Sequence, residues 1–256
     1  MTALATAVAA SAGRSASGCV LVAATVLTGQ LSIGWSNDLI DASRDTAAGR
    51  RDKPIAAGEL SSRVVTAACA VAVALCIPLS FANGWQAGLV HLLLVAGGWA
   101  YNLGLKRTLL SFLPYAVSFG ALPAFLALGL DGHPLPRPWV VLAGALLGVG
   151  AHFLNVVPDL RDDLEAGVRG LPQRLGERGA RTGGALLLAA AGAVVTFGPG
   201  RDVPSWAYAG FALAVVLSLL AAVAPARLGP RSPFLLSLLT AAVAVALLVG
   251  RGGAIT

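Results

Sequence analysis

Apolar residues run through this chain in long blocks rather than in alternation. The blocks cover residues 17–37, 62–82, 85–104, 109–130, 139–158, 182–198, 204–224 and 232–250. At ~1.5 Å per residue, a helix of about twenty residues crosses a ~30 Å hydrocarbon layer, so eight spans are expected. Strands of a membrane barrel would alternate polar and apolar positions, and these blocks do not. Gly and Pro recur inside them, as they do where membrane helices pack closely. The pattern predicts an all-α polytopic membrane bundle, with one domain over residues 1–256.

Composition agrees with that pattern. The chain is 57% hydrophobic and 12% charged, and a soluble domain carries roughly twice that charged fraction. Charge sharpens the picture, because 14 of the 18 Lys and Arg fall in four connectors, 38–63, 104–108, 158–181 and 225–231. The opposite side keeps Arg14, Arg137, Arg201 and Arg251. By the positive-inside rule the four basic connectors are cytoplasmic, in a bacterial inner or plasma membrane, and eight spans then put both termini outside. The net charge of +6 follows from this rule and calls for no nucleic-acid partner. Residues 1–19 do not read as a signal peptide, since Arg14 follows the small-residue run instead of preceding an apolar core. Cys19, Cys69 and Cys76 fall within spans. The last two lie about 10 Å apart along one helix, too far to bridge, and read as packing residues.

The acidic residues carry the chemistry. Asp38, Asp41, Asp45, Asp52 and Glu59 share the first basic connector, and Asp159, Asp162, Asp163, Glu165 and Glu177 share the third. Only Asp131 and Asp202 lie elsewhere, and topology does not require carboxylates. In "NDLIDASRD", Asn37, Asp38, Asp41 and Asp45 stand at i, i+1, i+4 and i+8, one face of a helix that continues past the interface. His152, Asn155, Asp159 and Asp163 repeat the arrangement at intervals of three, four and four, with Pro158 as a kink or restart. Stacked carboxylates repel one another. Mg²⁺, which takes oxygen ligands and bridges carboxylates to phosphates, removes that repulsion. Arg50, Arg51, Lys53, Lys106 and Arg107 then serve as donors to phosphate oxygens.

These segments resemble the signature motifs of the UbiA-type intramembrane prenyltransferases. "NDLIDASRDTAAGRRDKPIAAGEL" is similar to the NDxxDxxxD motif with its Arg-rich tail, "PDLRDDLEAGVRGLPQRLG" to the second, DxxxD-type motif, and "YNLGLKR" to the Tyr…Lys-Arg connector between them. The resemblance implies two pseudo-repeated halves around a central cavity open to the cytoplasmic side. It implies two or more Mg²⁺ ions bridging the Asp motifs to a prenyl diphosphate, and transfer of the prenyl group to a small lipophilic acceptor within the lipid bilayer. Carried over by position, Asp38, Asp41, Asp45, Asp159 and Asp163 are the catalytic and metal-binding residues. Asn37, Arg50, Lys53, Tyr101, Lys106 and Arg107 bind substrate, and His152 and Asn155 join them from the carboxylate face of the second motif. His152 stays open between a cavity residue and a hydrogen-bonded core residue. Trp35, Tyr101, Phe112, Tyr115 and Phe153 are the aromatics placed to meet an allylic cation. Two features depart from the family pattern. Residues 2–13 stand where a full first helix is usual, and they would lie at the external surface or cap the bundle partway. Such a shortened wall leaves either a wider opening to lipid or a gap closed by a second subunit in a homo-oligomer. Gly167 stands where some members carry a third Asp.

Two other readings compete with transfer. Ionisation followed by intramolecular attack would make the chain a membrane terpene cyclase, acting without an acceptor. A transporter would place its site at broken helices near the bilayer midplane, whereas these acids crowd at helix ends on one side.

Overall fold

The computed structural model describes residues 1–47, 49–50, 53–200, 202–223, 229, 231–250 and 255–256. Arg51, Asp52, Arg201, Arg227 and Arg251 lie outside the described residues. Among the described residues there is no strand; the elements are α1 (Thr2–Ser11), α2 (Ala16–Ile40), α3 (Ala42–Ala47), α4 (Ser62–Ala82), α5 (Trp85–Leu103), α6 (Leu113–Leu128), α7 (Pro138–Val156), α8 (Leu160–Glu165), α9 (Leu171–Phe197), α10 (Ser205–Val223) and α11 (Ser232–Gly250).

Helix starts follow local chemistry. Ser15 and Ser61 cap α2 and α4 by accepting from the amides of Gly18 and Val64, and Pro138 opens α7 at a position where no amide is needed. Inside the spans, hydroxyls return to their own helix. Thr25 donates to Leu21 O at 2.7 Å, Thr196 to Gly192 O at 2.8 Å and Ser218 to Ala214 O at 2.7 Å. Such bonds satisfy polar groups that hydrocarbon would leave bare.

Among the described residues, seven helical stretches are long and apolar enough to cross a membrane. The expected span at 85–104 forms as α5, a 19-residue helix, but is not among the seven. Gln86, His91 and Asn102 dilute its hydropathy, and His91 and Asn102 are buried against other helices. The expected span at 182–198 begins eleven residues earlier, at Leu171, and bends where Gly176 adopts φ 71°. Residues 2–11 do not lie flat on a surface. Their Ala5, Val8 and Ala9 pack into the main apolar core with Val22, Phe125 and Leu247, so α1 packs against the bundle.

Consecutive long helices pack side by side, and α11 closes the ring against α1, α7 and α9. The largest apolar core lies toward the end away from the Asp motifs, with Val26, Leu94, Leu126 and Val140. Leu, Val and Phe side chains such as Val71, Leu93, Leu219 and Val223 face outward. That outer surface suits hydrocarbon, and the chain is an integral multi-pass membrane protein.

Candidate active site

The first motif is carried over a helix break without losing its face. α2 ends at Ile40 and α3 starts at Ala42, yet Asp41 N donates to Asn37 O at 2.9 Å and Asp45 N to Asp41 O at 2.8 Å. The i−4 ladder therefore continues, and Asn37, Asp38, Asp41 and Asp45 all line one cavity of about 750 Å³.

The second motif reaches the same cavity from α7. Pro158 lacks an amide hydrogen, and the chain passes through a 3₁₀ turn at Val157–Asp159 before restarting as α8. Asn155, Asp159 and Asp163 line the cavity. Gly167 follows α8 in the left-handed region at φ 75°, with Val168 N donating to Asp163 O at 2.8 Å.

Cations hold the carboxylates in place. Lys106 Nζ stands 2.6 Å from both oxygens of Asp41, and Lys53 Nζ 2.7 Å from Asp38 Oδ1. Arg50 Nη1 donates to Asp159 Oδ1 at 3.1 Å, linking the tail of the first motif to the second. Burial pulls the Lys106 ammonium below the usual lysine pKa, and its hydrogen bond and charge contact with Asp41 oppose that fall. Arg107, the next residue, is exposed and does not line the cavity, because neighbours on a tight turn point apart.

Beside the carboxylates, Tyr101 and Tyr115 meet edge to face at 5.2 Å and both line the cavity. His152 is fully buried behind them, stacked on Tyr115 at 4.3 Å with Nε2 3.4 Å from Ser111 Oγ. It supports the aromatic pair and does not line the cavity. Trp35, Phe112 and Phe153 are not in the lining either; Phe119 is.

Several residues escaped sequence reasoning. Arg44 spans both motifs, 3.0 Å from Asp41, 3.6 Å from Asp45 and 3.7 Å from Asp163. Gln173 donates to Asp163 Oδ2 at 2.9 Å, and Asn102 bonds Ser36 Oγ and Ile33 O while accepting from Asn37 at 3.3 Å. Ser111 accepts from Leu171 N at 2.9 Å, docking the start of α9 on the 3₁₀ turn Leu109–Phe112 that follows the turn carrying Lys106. Below the charged mouth the cavity is lined by Val26, Leu94, Val95, Phe119 and Leu122, with Gln30, His91 and Ser118 among the polar exceptions.

The donor set fits a hard cation that shares its coordination sphere with a ligand. Asp45 is 3% exposed, and its Oδ2 has no hydrogen-bond partner, a buried carboxylate oxygen whose burden a cation would relieve. Among the described residues, no three His, Cys, Asp or Glu side chains converge closely enough to hold a metal ion alone. A Mg²⁺ ion held by one or two carboxylates and completed by phosphate oxygens suits that spacing.

Known proteins agree with this architecture. A UbiA homolog from Aeropyrum pernix K1, in its apo structure, superposes with a TM-score of 0.78 at 22% identity, over 98% of this chain and 96% of that one. A UbiA homolog from Archaeoglobus fulgidus bound to GPP and Mg²⁺ gives 0.61 at 18% identity, over 96% and 95%. The same homolog bound to DMAPP and Mg²⁺ gives 0.62 at 19%, over 95% and 93%. No curated protein matches the chain. The UbiA prenyltransferase family matches residues 1–233, nearly the whole length, and with a helical bundle that presents both Asp motifs to one cavity, the chain belongs to that family.

Proposed function

We propose that the chain transfers a prenyl group from an isoprenoid diphosphate to a small lipophilic acceptor inside the membrane, with its cavity mouth on the cytoplasmic face. One observation carries the reading: two carboxylate motifs from separate helices line the charged mouth of a single cavity whose deeper wall is largely apolar. The relatives solved with GPP or DMAPP and Mg²⁺ share this fold and support the same ligand class here.

In this reading Asp38, Asp41, Asp45, Asp159 and Asp163 would supply the carboxylates for Mg²⁺, one or two to an ion, with phosphate oxygens completing its coordination. When bound, Mg²⁺ supplies neutralisation of the negative charge that develops on the diphosphate as the C–O bond breaks. Lys53, Lys106 and Arg50 turn part of their hydrogen bonding from carboxylate to phosphate oxygen. Their positions are set before the substrate arrives, so little reorganisation is needed as charge develops. Asn37, fixed by Asp41 and Asn102, and Asn155 orient the diphosphate. Tyr101 and Tyr115 present ring faces and edges beside the mouth, and the apolar wall below keeps water from the allylic cation.

The test is release of diphosphate from prenyl diphosphates of graded length, with and without candidate acceptors, in membranes supplied with Mg²⁺. Transfer requires release that rises with an acceptor and stops in excess chelator. Release that is indifferent to every acceptor and yields a cyclic hydrocarbon would replace transfer with cyclisation.

A further inference from the structure

Arg44 stands where the two motifs come together. Its Nη2 lies 3.0 Å from Asp41 Oδ2 and 3.6 Å from Asp45 Oδ1, and its Nη1 lies 3.7 Å from Asp163 Oδ1. Its side chain is 28% exposed, so the guanidinium sits in the mouth of the cavity and not on the outer surface. Three carboxylates from two motifs thus share one planar cation, the geometry that guanidinium serves better than ammonium.

Among the described side chains, charge around the cavity is balanced. Among the described lining residues, the five motif carboxylates face Arg44, Arg50, Lys53, Lys106 and Arg231. A bare divalent cation entering this mouth meets no surplus of negative charge and must also displace Arg44. A diphosphate changes both conditions, because it brings its own negative charge and gives the displaced guanidinium a bidentate partner.

We propose that Arg44 is a resident counter-ion that joins the two Asp motifs and makes metal binding conditional on the diphosphate. This deepens the proposed function and rests on it. The contact with Asp163, at 3.7 Å, is longer than the 3.0 Å hydrogen bond to Asp41, so Arg44 can turn from Asp163 toward a phosphate oxygen while keeping Asp41, and the freed carboxylates would then be available to Mg²⁺. Arg44 is a positioning residue in the empty site and a phosphate donor in the filled one.

Binding of Mn²⁺, a paramagnetic stand-in for Mg²⁺, to the purified full-length chain in detergent tests this without turnover. The probes are Mn²⁺ alone and Mn²⁺ with methylenediphosphonate. In the unmodified chain, methylenediphosphonate should tighten Mn²⁺ binding strongly. In Arg44→Gln, Mn²⁺ alone should bind about tenfold tighter or more, as expected when a unit charge is removed from within ~4 Å in a partly screened site, and the gain from methylenediphosphonate should shrink. Arg161→Gln, which removes an exposed arginine paired only locally with Glu165, should match the unmodified chain. Bare Mn²⁺ binding in Arg44→Gln no tighter than in the unmodified chain overturns the role of Arg44, while normal binding with methylenediphosphonate leaves the proposed function standing. No Mn²⁺ binding in either protein, even with methylenediphosphonate, overturns both. The unmodified chain also carries a test of its own: Mn²⁺ binding equally tight with and without methylenediphosphonate overturns the proposal whatever the variant does.

Discussion

Among the described residues, Asp41 and Lys106 form the least exposed ion pair of the site, with side chains 3% and 5% exposed and two contacts of 2.6 Å. A buried pair adds little net stability, but losing one partner strands the other. Lys106→Met should therefore destabilise the protein by about 3–5 kcal/mol, and Asp41→Leu added to it should recover part of that loss. Unfolding midpoints in detergent measure both, and a double variant weaker than Lys106→Met alone would contradict the pairing. Asp38→Ala and Asp159→Ala remove more exposed carboxylates and should instead act on turnover, by about a hundredfold or more. Asp131→Ala and Asp202→Ala, at the far ends of the helices, should be nearly silent. The carboxylates were legible in sequence because a helical face repeats every three or four residues, and Asn37 through Asp45 obey that spacing. Arg44 was not, since one arginine in a basic connector looks like any other until three carboxylates are seen around it. Nor could sequence decide between adjacent Lys106 and Arg107, of which the turn buries the first and exposes the second.

At the scale of elements, the site depends on how closely α6 approaches α7. A Cβ added at Gly148 would meet Tyr115 O and Phe119 Cβ at 2.6 Å. Gly148→Val must push α6 away and carry Tyr115 from its stack on His152. Overpacking of this kind costs about 1–3 kcal/mol, and both the unfolding midpoint and turnover should fall. Gly34 gives the contrast. It lies one turn before Asp38 on the cavity wall, and a Cβ there would meet nothing within 4 Å. Gly34→Leu should leave the midpoint unchanged and lower kcat/KM for long prenyl diphosphates more than for short ones. Loss that is equal for all lengths would mean the chain does not run past this position. Both motif helices break, at Asp41 and at Pro158, and only Pro158 announced its break in the sequence. The early start of α9 was hidden because Leu171–Arg181 is charged and reads as a connector, although Gln173 and Pro172 are buried.

At the scale of the whole molecule, the long helices alternate in direction, so their connectors alternate between two ends of the bundle. Lys106, Asp45 and Asp163 share one end with most of the basic residues, while Asp131, Arg137 and Asp202 lie at the other. This asymmetry was readable from the chain because the positive-inside rule depends on sequence position and charge alone. The inward-facing polar residues of α5 were not readable, since burial within a bundle leaves no mark on hydropathy. The charge bias predicts that the Asp motifs face the cytoplasm. In a Cys19→Ser background, where Cys69 and Cys76 are 5% and 2% exposed, single cysteines can report the side. Asp131→Cys and Leu135→Cys, both exposed, should react with a membrane-impermeant maleimide on intact cells. Thr108→Cys and Glu165→Cys, exposed at the opposite end, should react only after the cells are opened. The reverse pattern would put the carboxylates outside, and the orientation proposed for the cavity would fall with it.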